Sequence, residues 1–131
     1  MAKGIRDQDK IEQRVNDLTD RLARDFDLGW MTFKNSFDSA IDGDRIVCQT
    51  FCDWEYRQAT FKWNTHQLSS MQDDELELTA IHEMVHCLNA VLWESLPPKR
   101  QNNMTKLNEL SVENITRVIA HLYRKDGNAR S

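Results

Sequence analysis

The sequence predicts an α+β domain, and two observations carry that prediction. Apolar residues recur at helical spacing towards both ends of the 131-residue chain, and three short runs with strand-like character lie between them. The coarse order is α-β-β-β-α-α in a single domain spanning 1–131. A chain of this length buries roughly two-thirds of its unfolded surface in one core, which leaves no room for a separate recognition domain.

The first helix is expected from about 7 to 26, where Ile11, Val15, Leu18 and Leu22 keep helical spacing among charged residues, and it ends near Asp27-Leu28-Gly29. Trp30, Thr32 and Phe33 suggest a short first strand. Asp42-Gly43-Asp44 is a turn signal leading into a second strand, Arg45 to Phe51. A third runs from about Arg57 to Asn64. Its alternation sets Ala59, Phe61 and Trp63 on one face and Thr60, Lys62 and Asn64 on the other. Whether this strand is an exposed edge, able to pair with an extended peptide, or an internal strand is open at this level.

A second long helix follows from about 73 to 93. Ser70 and Asp73 are spaced like a capping box, Asp73, Asp74, Glu75 and Glu77 load its first turns with negative charge, and Leu78, Ile81, Val85, Leu88 and Leu92 form an apolar stripe. Pro97 and Pro98 stop it, since proline lacks the amide hydrogen and restricts the residue before it. The last helical pattern contains Leu107, Leu110, Ile115, Val118, Ile119 and Leu122. Pro98-Lys99-Arg100 reads as a loop and the tail from about 125 as frayed.

Within the 73–93 helix lies His82-Glu83-Met84-Val85-His86, an HExxH motif. Residues four apart stand one turn above each other, so both imidazoles can reach one metal ion. Glu83, about 100° round the helix, can hydrogen-bond a water there without being a ligand. The histidines lie beside the apolar stripe, which places them at the edge of the core.

A catalytic zinc ordinarily has three protein ligands and one open position. Asn89 and Leu92 stand where a metzincin extension needs glycine and histidine, and no histidine occurs between His86 and His121. The remaining source is Glu109 and Glu113, one turn apart on the last helix. Such a pair repels slightly on a bare helix. A dication relieves that conflict when one carboxylate ligates and the other accepts the second N–H of a ligand histidine. Spacing alone leaves open which does which, and a solvated acidic face is the plainer alternative.

At these residues the chain resembles a known group. HExxH followed on a later helix by Asn108-Glu109 and an acidic residue four positions on resembles the gluzincin pattern of zinc metallopeptidases. The segment from Ala59 to Arg117 is similar to the small single-domain zincins of bacteria and their phages, the ImmA/IrrE-like and SprT-like group. The resemblance implies a minimal zincin-like fold, Zn2+ as cofactor, Glu109 as third ligand and Glu113 as its supporting partner. It also implies peptide-bond hydrolysis with Glu83 as general base and acid. Glu113 stands where the pattern has Asp, so an exchange of roles between Glu109 and Glu113 remains open, and the third histidine of SprT-like proteins is absent. His66, His121, Tyr123 and Arg117 are candidates to stabilise the oxyanion, with no spacing argument that selects one.

The formal charge of −4 argues against a nucleic-acid surface. No stretch approaches the roughly 20 apolar residues of a membrane span, and Met1 to Lys10 is not signal-like. Cys48, Cys52 and Cys87 form an odd set without a CxxC pair, as suits a reducing, cytoplasmic setting. Cys87 reads as a small buried hydrophobe. Cys48 and Cys52, about 13 Å apart if extended, do not read as a shared metal site. Trp30, Trp54, Trp63 and Trp93 read as packing residues. The expected partner is a protein or peptide substrate, and the competing expectations are a zinc-containing binding module without turnover and a zinc that serves only to staple the fold.

Overall fold

The structure, a computed structural model, describes residues 2–39 and 45–130, and its architecture is α+β. Among the described residues, the elements in order are α1 (Ala2–Asp25), β1 (Thr32–Asp38), β2 (Cys48–Asp53), β3 (Gln58–Asn64), α2 (Thr65–Leu68), α3 (Asp73–Glu94) and α4 (Pro98–Arg130). The Asp42-Gly43-Asp44 turn expected from the sequence lies outside the described residues.

Val15 and Leu22 of α1 are fully buried, with Ile11 and Leu18 packed against the core at the helical spacing that their sequence predicts. The helix starts earlier than expected and ends in a tight C-terminal turn. Leu28 N–H reaches Ala23 O at 2.7 Å and Asp27 N–H reaches Arg24 O at 3.1 Å, the paired bonds of a Schellman motif. Asp27 takes the left-handed position there (φ 56°), so the reversal does not depend on Gly29. Polar side chains then key α1 to the sheet. Asn35 of β1 donates to Asn16 and Thr19 of α1, and its own oxygen accepts from Trp63 Nε1 of β3, each at 2.9 Å.

The sheet order is β1-β3-β2, with β3 parallel to β1 and antiparallel to β2. This settles the question left open by the alternation in β3. It is the central strand, buried on the face carrying Ala59, Phe61 and Trp63, and β1 and β2 are the two edge strands. Asn64, placed by alternation on the solvent face, is fully buried. Its side chain caps α2, a one-turn helix absent from the sequence reading, by accepting from His66 N–H and Gln67 N–H, and it donates to Ile46 O at 3.0 Å. β2 begins three residues later than expected, and β1 extends five residues beyond Phe33.

α3 covers the expected span within one residue. Its buried side is Leu76, Ala80, Ile81, Met84, Val85 and Cys87, all below one-tenth exposed. Leu88 and Leu92 keep helical spacing with Ile81 and Val85 yet are exposed. The capping box does not form. Ser70 Oγ donates to Gln67 O, while Arg14 of α1 holds the Asp73 carboxylate at 2.7 Å.

Pro98-Lys99-Arg100, expected as a loop, is the first turn of α4. Proline suits a first helical position, where its missing N–H has no partner to lose. The segment after about 125, expected to fray, continues α4 to Arg130. α4 packs antiparallel on α3 through Val112, Thr116 and Ala120, while Arg124 bonds Glu77 Oε1 and Asp74 O near the start of α3. Trp63 is wholly buried, whereas Trp30 is partly exposed and stacks on Trp54 at 6.0 Å. Among the described residues no helix is long and apolar enough to cross a membrane.

Candidate metal centre

Three elements meet around His82 and His86: α3 supplies the histidines, α4 the carboxylates, and β2 borders them on the other side. The imidazoles are about one-fifth exposed, at the rim of the core as expected. Their Nε2 atoms lie 3.2 Å apart. Glu109 reaches across from α4, its Oε1 3.4 Å from His86 Nε2 and its Oε2 3.8 Å from His82 Nε2. Among the described residues this trio is the one group whose ligand atoms gather closely enough for a metal, all within 4.8 Å of one another.

The spacing can be tested against chemistry. A tetrahedral zinc with bonds of about 2.0–2.1 Å separates its ligand atoms by about 3.3–3.4 Å. The 3.2 Å between the two Nε2 atoms and the 3.4 Å from His86 Nε2 to Glu109 Oε1 lie close to that edge length, while His82 Nε2 meets the other Glu109 oxygen at 3.8 Å. Two imidazole nitrogens with one carboxylate are an ordinary zinc donor set. The residues therefore fit a zinc ion.

Glu113 occupies a different place. Its Oε2 lies 3.4 Å from His82 Nδ1, on the far side of the ring from Glu109, and its Oε1 accepts from Arg117 at 2.8 Å. A carboxylate in that position fixes which ring nitrogen carries the proton and leaves Nε2 free to ligate. Burial, partly offset by the Glu109 charge, holds the His86 pKa below its ordinary value, so its ring stays neutral, as a ligand must be.

Glu83 is buried, and Thr50 of β2 donates a hydrogen bond to its Oε2. Burial raises its pKa to about 7. The Thr50 bond lowers it, and the Glu109 charge raises it. Thr50 was not singled out from sequence. The signal was present, because Cys48, Thr50 and Cys52 share one face of a strand by period-two alternation, but nothing local says that this face meets α3.

The folded-state pKa of Glu83 lies above its ordinary 4.5, so its contribution is fully present below about pH 4.5 and is lost as pH rises through about 7. After chelation of metal, Glu83→Gln is therefore expected to be more stable than the parent by up to about 3 kcal/mol at about pH 8, with that advantage fading towards pH 4.5. Urea denaturation of both proteins across this range checks it. An advantage independent of pH contradicts the assignment.

The trio opens into a cleft of about 470 Å³, bordered by Gln49, Thr50 and Phe51 of β2, by Asn89, Ala90 and Trp93 of α3, and by Asn108 of α4. That size is ordinary for a binding site. Asn89 donates to Asn108 at 2.6 Å across its floor. None of the four residues considered for oxyanion stabilisation borders this cleft. His66 lies in α2, Tyr123 donates to Asp25, Arg117 is held by Glu113, and His121 lies beside Arg124 in a separate hollow. The polar groups that do border it, and that the sequence did not suggest, are Gln49, Asn89 and Asn108.

Cys48 and Cys87 are buried thiols whose pKa values burial pushes up, so neither is disposed to act as a thiolate ligand. Comparison of the chain with family profiles, with curated proteins and with solved structures finds no match.

Proposed function

We propose that the chain is a small zinc-dependent peptidase of zincin-like design. In this reading His82, His86 and Glu109 hold the ion, Glu113 orients His82, and Glu83 is the general base and acid. The observation that carries it is the convergence of two imidazoles and one carboxylate, their donor atoms within 4.8 Å of one another, beside a buried carboxyl that is not one of them. A fold-stapling zinc has no use for such a neighbour.

A bound zinc would supply a water of lowered pKa and a Lewis acid for the scissile carbonyl. The chain's own groups do the rest. Glu83 takes the proton of the attacking water and returns it to the leaving amine, so one carboxyl serves both halves of the reaction. Thr50 holds that carboxyl by its Oε2, which leaves Oε1 for the water. A cation held by the trio would pull Glu83 back towards the ionised form that a base requires.

Substrate is a protein or peptide in extended form. β2 has β3 on one side only and borders the cleft, so its free edge can pair with a peptide backbone and lay a carbonyl beside the trio. The edge role considered for the third strand thus falls to the second. A cytoplasmic setting belongs to the same reading, with no disulfide joining Cys48, Cys52 or Cys87.

The test is incubation of the zinc-loaded protein with a peptide library drawn from a proteome, followed by sequencing of new amino termini. New termini that vanish on chelation are expected. Identical termini with and without chelator would overturn the proposal.

A further inference from the structure

We propose that two copies of this chain pair antiparallel through the outer face of α4. That face carries an eleven-residue repeat: Met104, Leu107 and Ser111 are followed by Ile115, Val118 and Leu122. Eleven residues return to within about 20° of the same direction on an α-helix, so the six form one straight stripe. Glu109 and Glu113 project from other sides of the helix, so a partner on the stripe does not cover these carboxylates directly, although the stripe's first turns adjoin the cleft at Asn89, Trp93 and Asn108.

The stripe is uncovered within one chain. Its five apolar members are between 38 % and 61 % exposed, and Leu88 and Leu92 of α3 extend the patch, Leu92 being 69 % exposed. Leu92 and Leu96 form a shallow hollow with Met104, Leu107 and Ser111, joining the two helices into one apolar surface. The seven exposed apolar residues offer on the order of 700 Å² per copy, more than the largest patch on a typical monomer. A pair would bury about 1,400 Å², inside the range of stable interfaces.

The pattern is also complementary to itself. A two-fold axis crossing α4 at the level of residue 113 sets Met104 against Leu122 of the second copy, Leu107 against Val118 and the small Ser111 against Ile115. The same axis brings Arg100 at one end towards Asp126 of the second copy at the other, opposite charges at both rims. Reversal about one axis is the symmetry of most homodimers. A lipid surface suits the stripe less well. An interfacial helix flanks its apolar face with Lys and Arg along its length, whereas Asn103, Asn114 and His121 border the middle of this one and its cations, Arg100 and Lys125, stand at the two ends.

Sedimentation of the full chain across the micromolar range is expected to show a species of twice the 15.4 kDa chain mass. Leu107→Lys and Val118→Glu, at exposed positions and with helicity checked by circular dichroism, are expected to weaken association at least tenfold each. Mixing Ser111→Cys chains with Ile115→Cys chains should give more disulfide-linked dimer on mild oxidation than either alone. A monomer at every concentration overturns the proposal, and so does a dimer indifferent to both charged substitutions. Equal cross-linking with and without mixing, or vesicle binding through the stripe in place of self-association, also overturns it.

Discussion

Glu83→Gln is expected to lower kcat/KM for peptide cleavage by about 10²–10⁴-fold while leaving zinc content unchanged. The amide keeps the size and shape of the carboxyl and can still accept the Thr50 hydrogen bond through its oxygen. What it loses is the ability to take a proton from water at neutral pH. Because Glu83 is buried against β2 and is not among the three converging donors, the metal centre should survive the change. Zinc analysis and cleavage of an identified target, measured on one preparation, separate the two effects. Equal cleavage by parent and variant would remove Glu83 from the chemistry and favour a zinc-containing binding module.

Glu109→Ala and Glu113→Ala are expected to differ in kind. Glu109 faces Nε2 of both histidines, so its loss removes a donor and should weaken zinc binding by well over 100-fold. Glu113 faces His82 Nδ1 and is tied to Arg117. Its loss frees the ring to turn and to take the wrong tautomer, which in comparable settings weakens metal binding about 10–100-fold. Competition titration with a chromogenic chelator ranks the two. The reverse order would exchange the roles of the two carboxylates, an alternative that their spacing in the sequence left open.

The difference between those carboxylates shows where sequence reasoning ran out. Spacing of four places Glu109 and Glu113 one above the other on α4, but which of them meets Nε2 depends on how far α4 slides along α3. That register is set by Val112, Thr116 and Ala120 packing and by Arg124 reaching Glu77, contacts between residues tens of positions apart. The helix carrying His82 and His86 was legible because its period, its acidic start and its proline stop are all local. Strand order was not: nothing within Gln58–Asn64 states that it has neighbours on both sides, and the parallel pairing with β1 crosses more than twenty residues. Likewise the apolar stripe of α3 reads through to Leu92, although Leu88 and Leu92 are exposed. Helical period reports which residues share a face, and the length of the opposing surface decides how many of them are buried.

The central claim is that two imidazoles of α3 and one carboxylate of α4 form a single zinc site with room for water. X-ray absorption at the zinc edge, on protein purified without chelator and quantified per chain, tests it most directly. The account predicts about one zinc per chain with two imidazole nitrogens at about 2.0–2.1 Å and the remaining positions filled by oxygen. Sulfur in that shell, or zinc content unaffected by replacing both His82 and His86 with Ala, would contradict it.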